Sequence, residues 1–467
     1  MTTTAARHGQ ARRYVENRHI EYIPAAARSG KPWQQFFFWF GGNTNVFNLV
    51  LGGIVVGSLG LTFWWALIAI TVGTLIGALL IAAHAAQGPK LGVPQTIQTR
   101  AQLGYYGAAF MFVAVLALNI GFIAAELVIQ AQAMTGVTSA LTMPQWIIVL
   151  AVPSAVIGIF GYAWIHRVMQ ATAVVVGITL VVMLIQGLHH PLPASQTTLA
   201  RPSAPLFAAG VALMAIDMLS FGPFCGDYSR YLPAKTNPWR LFWANYAGNV
   251  LATIASAAVG AYLTALLPKA GLVPAVSQVS GKWALVIMAL SLLNANTFNA
   301  YTGSFQVLAL ASMWRRFRAE SVLVRVIPFL AVMAAGTVIA CYGYQQFVTN
   351  LSNFLDDLLI LLIPWSAVNL ADYFWIRRGE YDVASFFTPD GIYGRFAWRG
   401  LLAYLIGLGA ELPFVYQPDF KGPLVNALGG ADVSWLIGWV VAAGVYLYLA
   451  SGTRQPSRGR PAAAPLA

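Results

Sequence analysis

The chain has 467 residues, of which 58% are hydrophobic and only 9% are charged. A soluble globular domain carries about 25% charged residues, so this chain has too little polar surface to stay in water as a monomer. The composition excludes a soluble protein and predicts an integral membrane protein. The two cysteines, Cys225 and Cys341, lie in or beside apolar segments and predict neither a disulfide framework nor a zinc site.

Apolar stretches long enough to cross a bilayer recur along the chain. A spanning helix needs roughly 20 mostly apolar residues. We predict twelve spans, numbered in chain order, at about residues 36–56, 63–85, 108–134, 146–161, 169–188, 207–224, 241–267, 283–313, 326–342, 355–373, 398–415 and 435–449. This transmembrane domain (33–450) follows an N-terminal tail (1–32) and precedes a C-terminal tail (451–467) whose composition is typical of disorder.

The basic residues alternate with the spans. If the N-terminus is cytoplasmic, all of the 27 Lys and Arg residues lie in cytoplasmic segments except Arg201, Lys269, Lys282 and Lys421. This distribution satisfies the positive-inside rule, and it predicts a multi-pass protein of the cell (plasma or inner) membrane with both termini cytoplasmic. The net charge of +12 then reflects topology and contact with anionic membrane lipid, and it does not indicate nucleic-acid binding.

Spans 1 and 6 are each interrupted by residues that disfavour a regular helix. Span 1 contains the run 41–45 (GGNTN), and span 6 breaks at the run 220–223 (SFGP). A broken helix at membrane depth is tolerated where it lines a protein cavity. Two breaks five spans apart indicate an inverted five-plus-five repeat, about 33–190 and 203–375, with the binding site between them. The alternatives are a simple proline kink and small residues that only let helices pack closely.

Ionisable side chains inside spans 3 and 6 point to a function. Phe122 and Glu126 are four residues apart and share one helix face. An aromatic ring beside a carboxylate suits a nucleobase, because the ring stacks and the carboxylate accepts hydrogen bonds from ring N–H or amino groups. Glu126 and Asp217 of span 6 are both ionisable, and burying an ionisable side chain at membrane depth costs free energy, so such residues usually have a function. The alternatives are core packing for Phe122 and a structural pairing for Asp217.

Span 8 is unusually polar. Asn294, Asn296 and Asn299 fall within six residues, and Ser291 precedes them. Asn296 and Asn299 are three apart and share a face, and amides match the mixed donor and acceptor edge of a heterocycle. The alternative is that these amides hydrogen-bond neighbouring helices and bind nothing.

Three runs carry a resemblance to a known family. They are GPKLGVP…RAQLG after span 2, DYSRYLP after span 6 and ADYF…RRGEYD after span 10. Together with twelve spans, they resemble the nucleobase–cation symporter family of purine–cytosine, allantoin, uracil and hydantoin permeases. The resemblance covers about residues 33–449. It implies the LeuT-type fold, with ten core helices and two extra C-terminal ones, and a flat heterocycle held between spans 1, 3, 6 and 8.

The resemblance also assigns roles to residues. Phe122 stands where the family has a tryptophan, and either Met218 or Phe221 forms the second wall against the ligand. Asn43 at the first break joins Glu126, Asp217, Asn296 and Asn299 as a substrate-binding candidate.

Sodium-coupled members of the family complete an ion site with span 1 carbonyls and span 8 hydroxyls. Asn45, Ser291 and Asn294 are therefore the cation-coupling candidates, together with Glu126. Leucines at positions 292 and 293 make a complete sodium site doubtful and favour protons.

We therefore predict a symporter, not an enzyme, that imports a nucleobase or related heterocycle by alternating access. It needs no cofactor besides a coupling ion, H+ or Na+, with H+ favoured. The sequence has no nucleotide-hydrolysis motif, no nucleophile–base arrangement and no metal-ligand spacing within one helix face. The main alternative is a transporter of the same fold for another small solute such as an amino acid.

Overall fold

A computed structural model of the chain describes residues 20–159, 162–314, 322–417 and 420–452. The predicted disordered C-terminal tail lies outside these residues except for its first two positions, and so do residues 1–19 of the N-terminal tail. Within the described residues the secondary structure is helical, apart from one isolated bridge between Tyr416 and Lys421. The prediction of an all-α membrane protein is confirmed.

Fourteen long helices carry the architecture of the described chain, and we number them in chain order. They are α1 (Trp33–Asn43), α2 (Val46–Gly57), α3 (Phe63–Ala85), α4 (Ala109–Val137), α5 (Met143–Ile159), α6 (Tyr162–Leu188), α7 (Ala204–Leu219), α8 (Pro238–Leu266), α9 (Lys282–Ser291), α10 (Leu293–Ala311), α11 (Val322–Gly343), α12 (Phe347–Ala371), α13 (Trp398–Glu411) and α14 (Ser434–Ala450).

Every predicted span overlaps at least one of these helices. Span 1 consists of α1 and α2, which are separated at Thr44 and Asn45. Span 6 consists of α7, a 3-10 turn (Gly222–Phe224) and a short helix (Cys225–Ser229). Both predicted breaks are therefore present.

The length and apolar composition of the observed helices give a second test of the predicted spans. Seven helical stretches of the described chain are long and apolar enough to cross a membrane, and the stretch Val326–Ile376 contains parts of both α11 and α12. Shorter apolar helices cover Val46–Gly57, Met143–Ile159 and Ser434–Ala450. The number of crossings stays a prediction.

Span 8 differs from the expected continuous helix. Leu292, with φ −83° and ψ −5°, separates α9 from α10. The Ser291 hydroxyl donates to the Met288 carbonyl at 2.7 Å, which satisfies a backbone acceptor at the end of α9. A hydroxyl that bonds the preceding turn competes with regular helical hydrogen bonding, and this explains an irregularity that hydropathy alone does not predict.

The core helices pack as two groups. In the first group, α1 and α2 pack against α8, while α3 packs against α7 and α8. In the second group, α4 packs against α5, α9, α10 and α11. We call these the α3–α7 group and the α4–α10 group. Outside them, α12, α13 and α14 pack against one another.

Glycines set how closely the first group packs. Gly52 of α2 lies against α8 so tightly that an added Cβ would overlap the backbone carbonyl of Ala257. Small residues at helix interfaces let backbones approach in this way in membranes.

We predict that Gly52→Ala destabilises the protein by about 1–3 kcal/mol, because the added methyl group forces two backbones apart. Gly409→Ala in α13 is the matched control, since a Cβ there meets nothing within 4 Å. Thermal unfolding of both variants in one detergent checks this. A melting temperature for Gly52→Ala equal to that of the control would contradict the close contact.

Candidate functional site

A cavity lies where the two broken helices meet the second group. It is lined by residues of α1, α2, α4, α6, α7, α9 and α10 and of the breaks between them: Phe38, Trp39, Gly41, Gly42, Asn43, Thr44, Asn45, Phe47, Asn48, Phe122, Glu126, Thr172, Asp217, Phe221, Ser291, Asn294, Ala295, Phe298 and Asn299. The breaks therefore border a cavity, as the sequence predicts for interrupted helices.

Side-chain amides hold the break between α1 and α2. The Asn48 backbone N–H donates to Asn45 Oδ1 at 3.0 Å, and Asn45 Nδ2 donates to the Gly42 carbonyl at 2.6 Å. Asn43 Nδ2 donates to Asn249 Oδ1 of α8 at 2.8 Å. The Asn43 carbonyl accepts from Asn48 Nδ2 at 2.8 Å. These bonds replace the helical ones that the break removes.

The break after α7 leaves a carboxylate in the cavity wall. Asp217 is 1% exposed, and its Oδ2 atom has no hydrogen-bond partner within the described residues. The Ser220 hydroxyl donates to the Asp217 carbonyl at 2.6 Å and so satisfies the end of the helix. The side chain of Asp217 is therefore available to a ligand or cation.

Glu126 and Asn299 form the second polar group. Asn299 Nδ2 of α10 donates to both carboxylate oxygens of Glu126 of α4, at 3.2 Å each. A carboxylate offers about four lone-pair sites, so acceptor capacity remains for a ligand. None of the residues that line the cavity in the described chain is Lys, Arg or His. The cavity thus holds two carboxylates without a cationic side chain beside them.

Two phenyl rings border the same space. The rings of Phe122 and Phe221 have centroids 6.4 Å apart and lie within 22° of parallel. Phe122 also contacts Phe47 of α2 and Phe354 of α12, with centroids at 5.4 and 5.5 Å. Trp39 meets Phe221 edge to face at 5.7 Å. These neighbours fix the orientation of the two rings.

The structure places two candidates outside the lining. Met218 is fully buried and accepts from the Thr253 hydroxyl of α8 through its sulfur, at 3.7 Å. Asn296 donates to Gln130 Oε1 of α4 at 2.7 Å. The helix ends between Met218 and Phe221, so the two side chains do not share a face. Phe221 lines the cavity, whereas Met218 contacts α8. Asn296 joins α10 to α4.

The three neutral cation-coupling candidates line the cavity, each with a hydrogen bond of its own. The side chain of Asn45 caps α2, and the Ser291 hydroxyl bonds the preceding turn. Asn294 Nδ2 donates to the Thr172 hydroxyl of α6 at 2.8 Å, while its Oδ1 has no partner within the described residues. Asn294 Oδ1 is the oxygen of this set that is left for an ion.

The family model described as a permease for cytosine and purines, uracil, thiamine and allantoin matches residues 22–438. The chain belongs to this permease family. The predicted resemblance to nucleobase–cation symporters is confirmed, and so is the prediction that the chain is a transporter and not an enzyme.

Individual relatives agree with this assignment. A Bacillus subtilis protein whose name places it among the purine–cytosine permeases is 34% identical over 445 residues, covering 93% of this chain and 96% of that protein. A purine–cytosine permease of Emericella nidulans is 26% identical over 467 residues, covering 93% and 88%. Both therefore align with this permease over most of its length.

Solved structures agree on the fold. Mhp1, a nucleobase-cation-symport-1 family transporter solved in a closed conformation with bromovinylhydantoin bound, superposes with a TM-score of 0.73 at 17% identity, covering 93% of this chain and 94% of Mhp1. A sodium-coupled sialic acid symporter gives a TM-score of 0.67 at 12% identity, covering 96% and 94%. The predicted LeuT-type fold is confirmed.

Sequence reasoning missed several residues of this permease's cavity. Trp39 and Phe47 flank the first break, and Phe298 lies one residue before Asn299. The available signals were the positions of Trp39 and Phe47 beside the predicted break in span 1 and the position of Phe298 beside the candidate Asn299. Asn249 of α8 carried no such signal, because an amide in an apolar span does not indicate which helix it bonds.

We predict that Asn249→Ala destabilises the permease by about 1–3 kcal/mol, because it removes one of the two acceptors of the buried Asn43 amide and leaves only the Trp39 carbonyl. Asn350→Ala is the control, since Asn350 is exposed and its amide donates only to the Gly343 carbonyl, at 2.9 Å. Thermal unfolding in detergent measures both. Equal stability of the two variants would show that the break does not depend on Asn249.

Proposed function

We propose that this permease imports a nucleobase or related heterocycle together with a proton, by alternating access, and binds both in the cavity between the two helix groups. The observation that carries the proposal is the combination, in one cavity, of two nearly parallel phenyl rings and a carboxylate–amide pair. Membership of the cytosine and purine permease family supports the substrate class.

The spacing of the rings supports a flat ligand. A ring between two others needs about 7 Å, twice the roughly 3.5 Å contact distance between carbon atoms. Phe122 and Phe221 lie 6.4 Å apart, so a small opening of the two helix groups admits one planar ring. Stacking a base on an aromatic side chain contributes about 1–3 kcal/mol.

The carboxylate–amide pair supports a ligand with polar edges. Glu126 is acceptor-only when ionised, and Asn299 supplies donors. A base with a ring N–H or an exocyclic amino group donates to Glu126. Cytosine and the amino-bearing purines have this edge. An amino acid ligand would instead require a cationic or helix-end partner for its own carboxylate, and two acidic side chains in the cavity disfavour it.

A proton is the coupling ion in this proposal. Glu126 and Asp217 line one cavity, and both are nearly inaccessible, at 5% and 1% exposure. Two buried carboxylates near each other are costly to ionise together unless a cation neutralises one. A proton taken up with the substrate meets this need.

Sodium is the second candidate, and the free Asn294 Oδ1 at the α6–α10 contact favours it. Sodium in proteins prefers a shell of several oxygens, and leucines occupy the two positions before Asn294. The proton therefore remains our first choice.

We also propose the orientation that the basic residues predict, with both termini in the cytoplasm of a cell whose plasma or inner membrane holds the permease. In that orientation, substrate enters from outside when the two helix groups open on that face.

We predict that Glu126→Gln lowers substrate affinity by at least about tenfold, because an amide cannot replace a charged acceptor. It also removes the dependence of uptake on a proton gradient. Thermal stabilisation of purified protein by cytosine, adenine, hypoxanthine, uracil and allantoin measures binding, and proteoliposome uptake at two external pH values with and without sodium measures coupling.

Glu411→Gln is the matched control for this variant. Glu411 is also a fully buried carboxylate, but it lies at the end of α13 and does not line the cavity. If Glu126→Gln had the same substrate affinity and uptake as Glu411→Gln, Glu126 would not belong to the binding site. Uptake that required sodium and ignored pH would replace the proton by sodium and leave the substrate assignment intact.

A second prediction separates the two ring-wall candidates. Phe221→Leu should weaken binding by about 1–3 kcal/mol through lost stacking. Met218→Leu keeps volume and apolar character, so it should leave binding unchanged. Titration of the purified proteins with the best-stabilising heterocycle gives both affinities. A larger loss in Met218→Leu would move the stacking wall to Met218.

A further inference from the structure

A second cavity lies away from the transport cavity and shares no lining residue with it. Three segments form its walls. They are the connection that follows α3, the connection that enters α13, and the C-terminal end of α14. Two arginines, Arg377 and Arg399, line it together with aromatic side chains. Nothing in the proposed transport cycle uses these residues.

Arg377 presents unused donors to this cavity. Its Nε atom lies 3.2 Å from each carboxylate oxygen of Asp372. Asp372 is fully buried and also accepts from the hydroxyls of Tyr381 and Tyr446 and from Gln102 Nε2, at 2.7–2.8 Å. The carboxylate is therefore saturated. Within the described chain the two terminal nitrogens of Arg377 form no hydrogen bond, and the side chain is 19% exposed.

The guanidinium of Arg377 is held in place. Its central carbon lies 4.8 Å from the ring centroid of Tyr393 and 5.5 Å from that of Tyr381. Together with the Asp372 contact, these rings fix the plane of the guanidinium. A fixed, planar set of donors matches the oxygens of a phosphate group.

Arg399 adds a second positive charge from the first turn of α13. It is exposed, and it forms no ion pair or hydrogen bond within the described residues. The same turn forms part of the cavity wall, although the N–H groups of Gly400 and Leu401 already donate to the Ala397 carbonyl, at 3.0 and 3.1 Å. The positive potential in the cavity comes mainly from the two guanidiniums, and the N-terminal end of α13 adds to it.

An apolar stripe leads away from the cavity along α13. Trp398, which lines the cavity, is 72% exposed, and Leu402 and Leu405 are 47% and 57% exposed. Positions i, i+4 and i+7 lie on one face of a helix. The sequence predicts that α13 belongs to the eleventh span, where exposed apolar side chains face lipid, and an exposed tryptophan is typical of the membrane–water interface. In that arrangement the cavity opens at the head-group level beside an acyl-chain surface.

We propose that this cavity binds the phosphate head group of an anionic phospholipid, with Arg377 and Arg399 on the phosphate and an acyl chain along Leu402 and Leu405. The sequence predicts that this end of α13 faces the cytoplasm, where anionic lipids attract basic residues. Free inorganic phosphate shares the same chemistry, and the lipid-facing stripe favours the lipid.

Native mass spectrometry of the full-length, detergent-purified protein with phosphatidylglycerol and phosphatidylcholine tests the proposal. We expect phosphatidylglycerol to bind the unmodified protein with at least about tenfold preference, because both lipids carry the phosphate but the two guanidiniums repel the choline cation of phosphatidylcholine. Arg399→Gln and Arg377→Lys should each lower this preference severalfold. The lysine keeps the charge beside Asp372 but removes the planar fork.

Arg395→Gln is the matched control. Arg395 is exposed in the same connection and pairs with Asp390 at 3.3 Å, and it does not line the cavity. The control should keep the preference for phosphatidylglycerol. An equal loss in Arg395→Gln and Arg399→Gln would mean diffuse surface charge and overturn the proposal, as would equal binding of the two lipids by the unmodified protein.

A competition arm distinguishes the two sources of phosphate. Sodium phosphate at millimolar concentration is added before the lipid, with sodium chloride of equal ionic strength as the reference. If phosphate does not displace phosphatidylglycerol, the acyl stripe contributes and the lipid assignment stands. If phosphate displaces the lipid from the unmodified protein and from Arg395→Gln alike, while sodium chloride does not, the lipid assignment is overturned.

Discussion

The apolar environment makes one constraint dominate this structure, because a helix cannot break there unless other groups take over its backbone hydrogen bonds. Asn45 and Asn48 take over part of this role at the break between α1 and α2, and Asn43 anchors the break to Asn249 of α8. The break is thus a rigid part of the α3–α7 group. The cavity exists because these amides hold the chain open at that level.

Charge inside the cavity follows from the same environment. Glu126 is stabilised by the Asn299 amide, whereas the Oδ2 atom of Asp217 has no partner within the described residues. In such a site, the negative charge of the carboxylates is balanced by the positive ends of broken helices and by a transported cation. Affinity for substrate and affinity for the cation are then linked, since each changes the electrostatic cost of the other. That linkage is what a symporter requires.

The sequence was sufficient for the fold and for much of the cavity. Both breaks, the α4 pair Phe122 and Glu126, and Asn299 were visible because polar residues and glycines are conspicuous in apolar spans. Met218 and Asn296 were harder, since the direction of a side chain near a break depends on where the helix ends. The irregularity at Leu292 was not visible either, because it follows from one hydroxyl that bonds backwards to Met288.

The kinds of contact within and between the helix groups differ, and this bears on how the proposed alternation works. Directed hydrogen bonds join helices of the same group. Asn43 bonds Asn249 inside the α3–α7 group, while Glu126 and Gln130 bond α10 inside the α4–α10 group.

Aromatic rings join one group to the other. Phe122 of α4 meets Phe47 of α2 at 5.4 Å, and Phe298 of α10 stacks on Tyr228, which follows the break in span 6, at 4.9 Å and 13°. Ring contacts tolerate changes in offset and tilt at low cost, whereas a displaced buried hydrogen bond leaves unpaired polar groups. Each group is therefore stiff, and the surface between them is suited to sliding. A flat ligand inserted between rings of the two groups acts on the interface that must move.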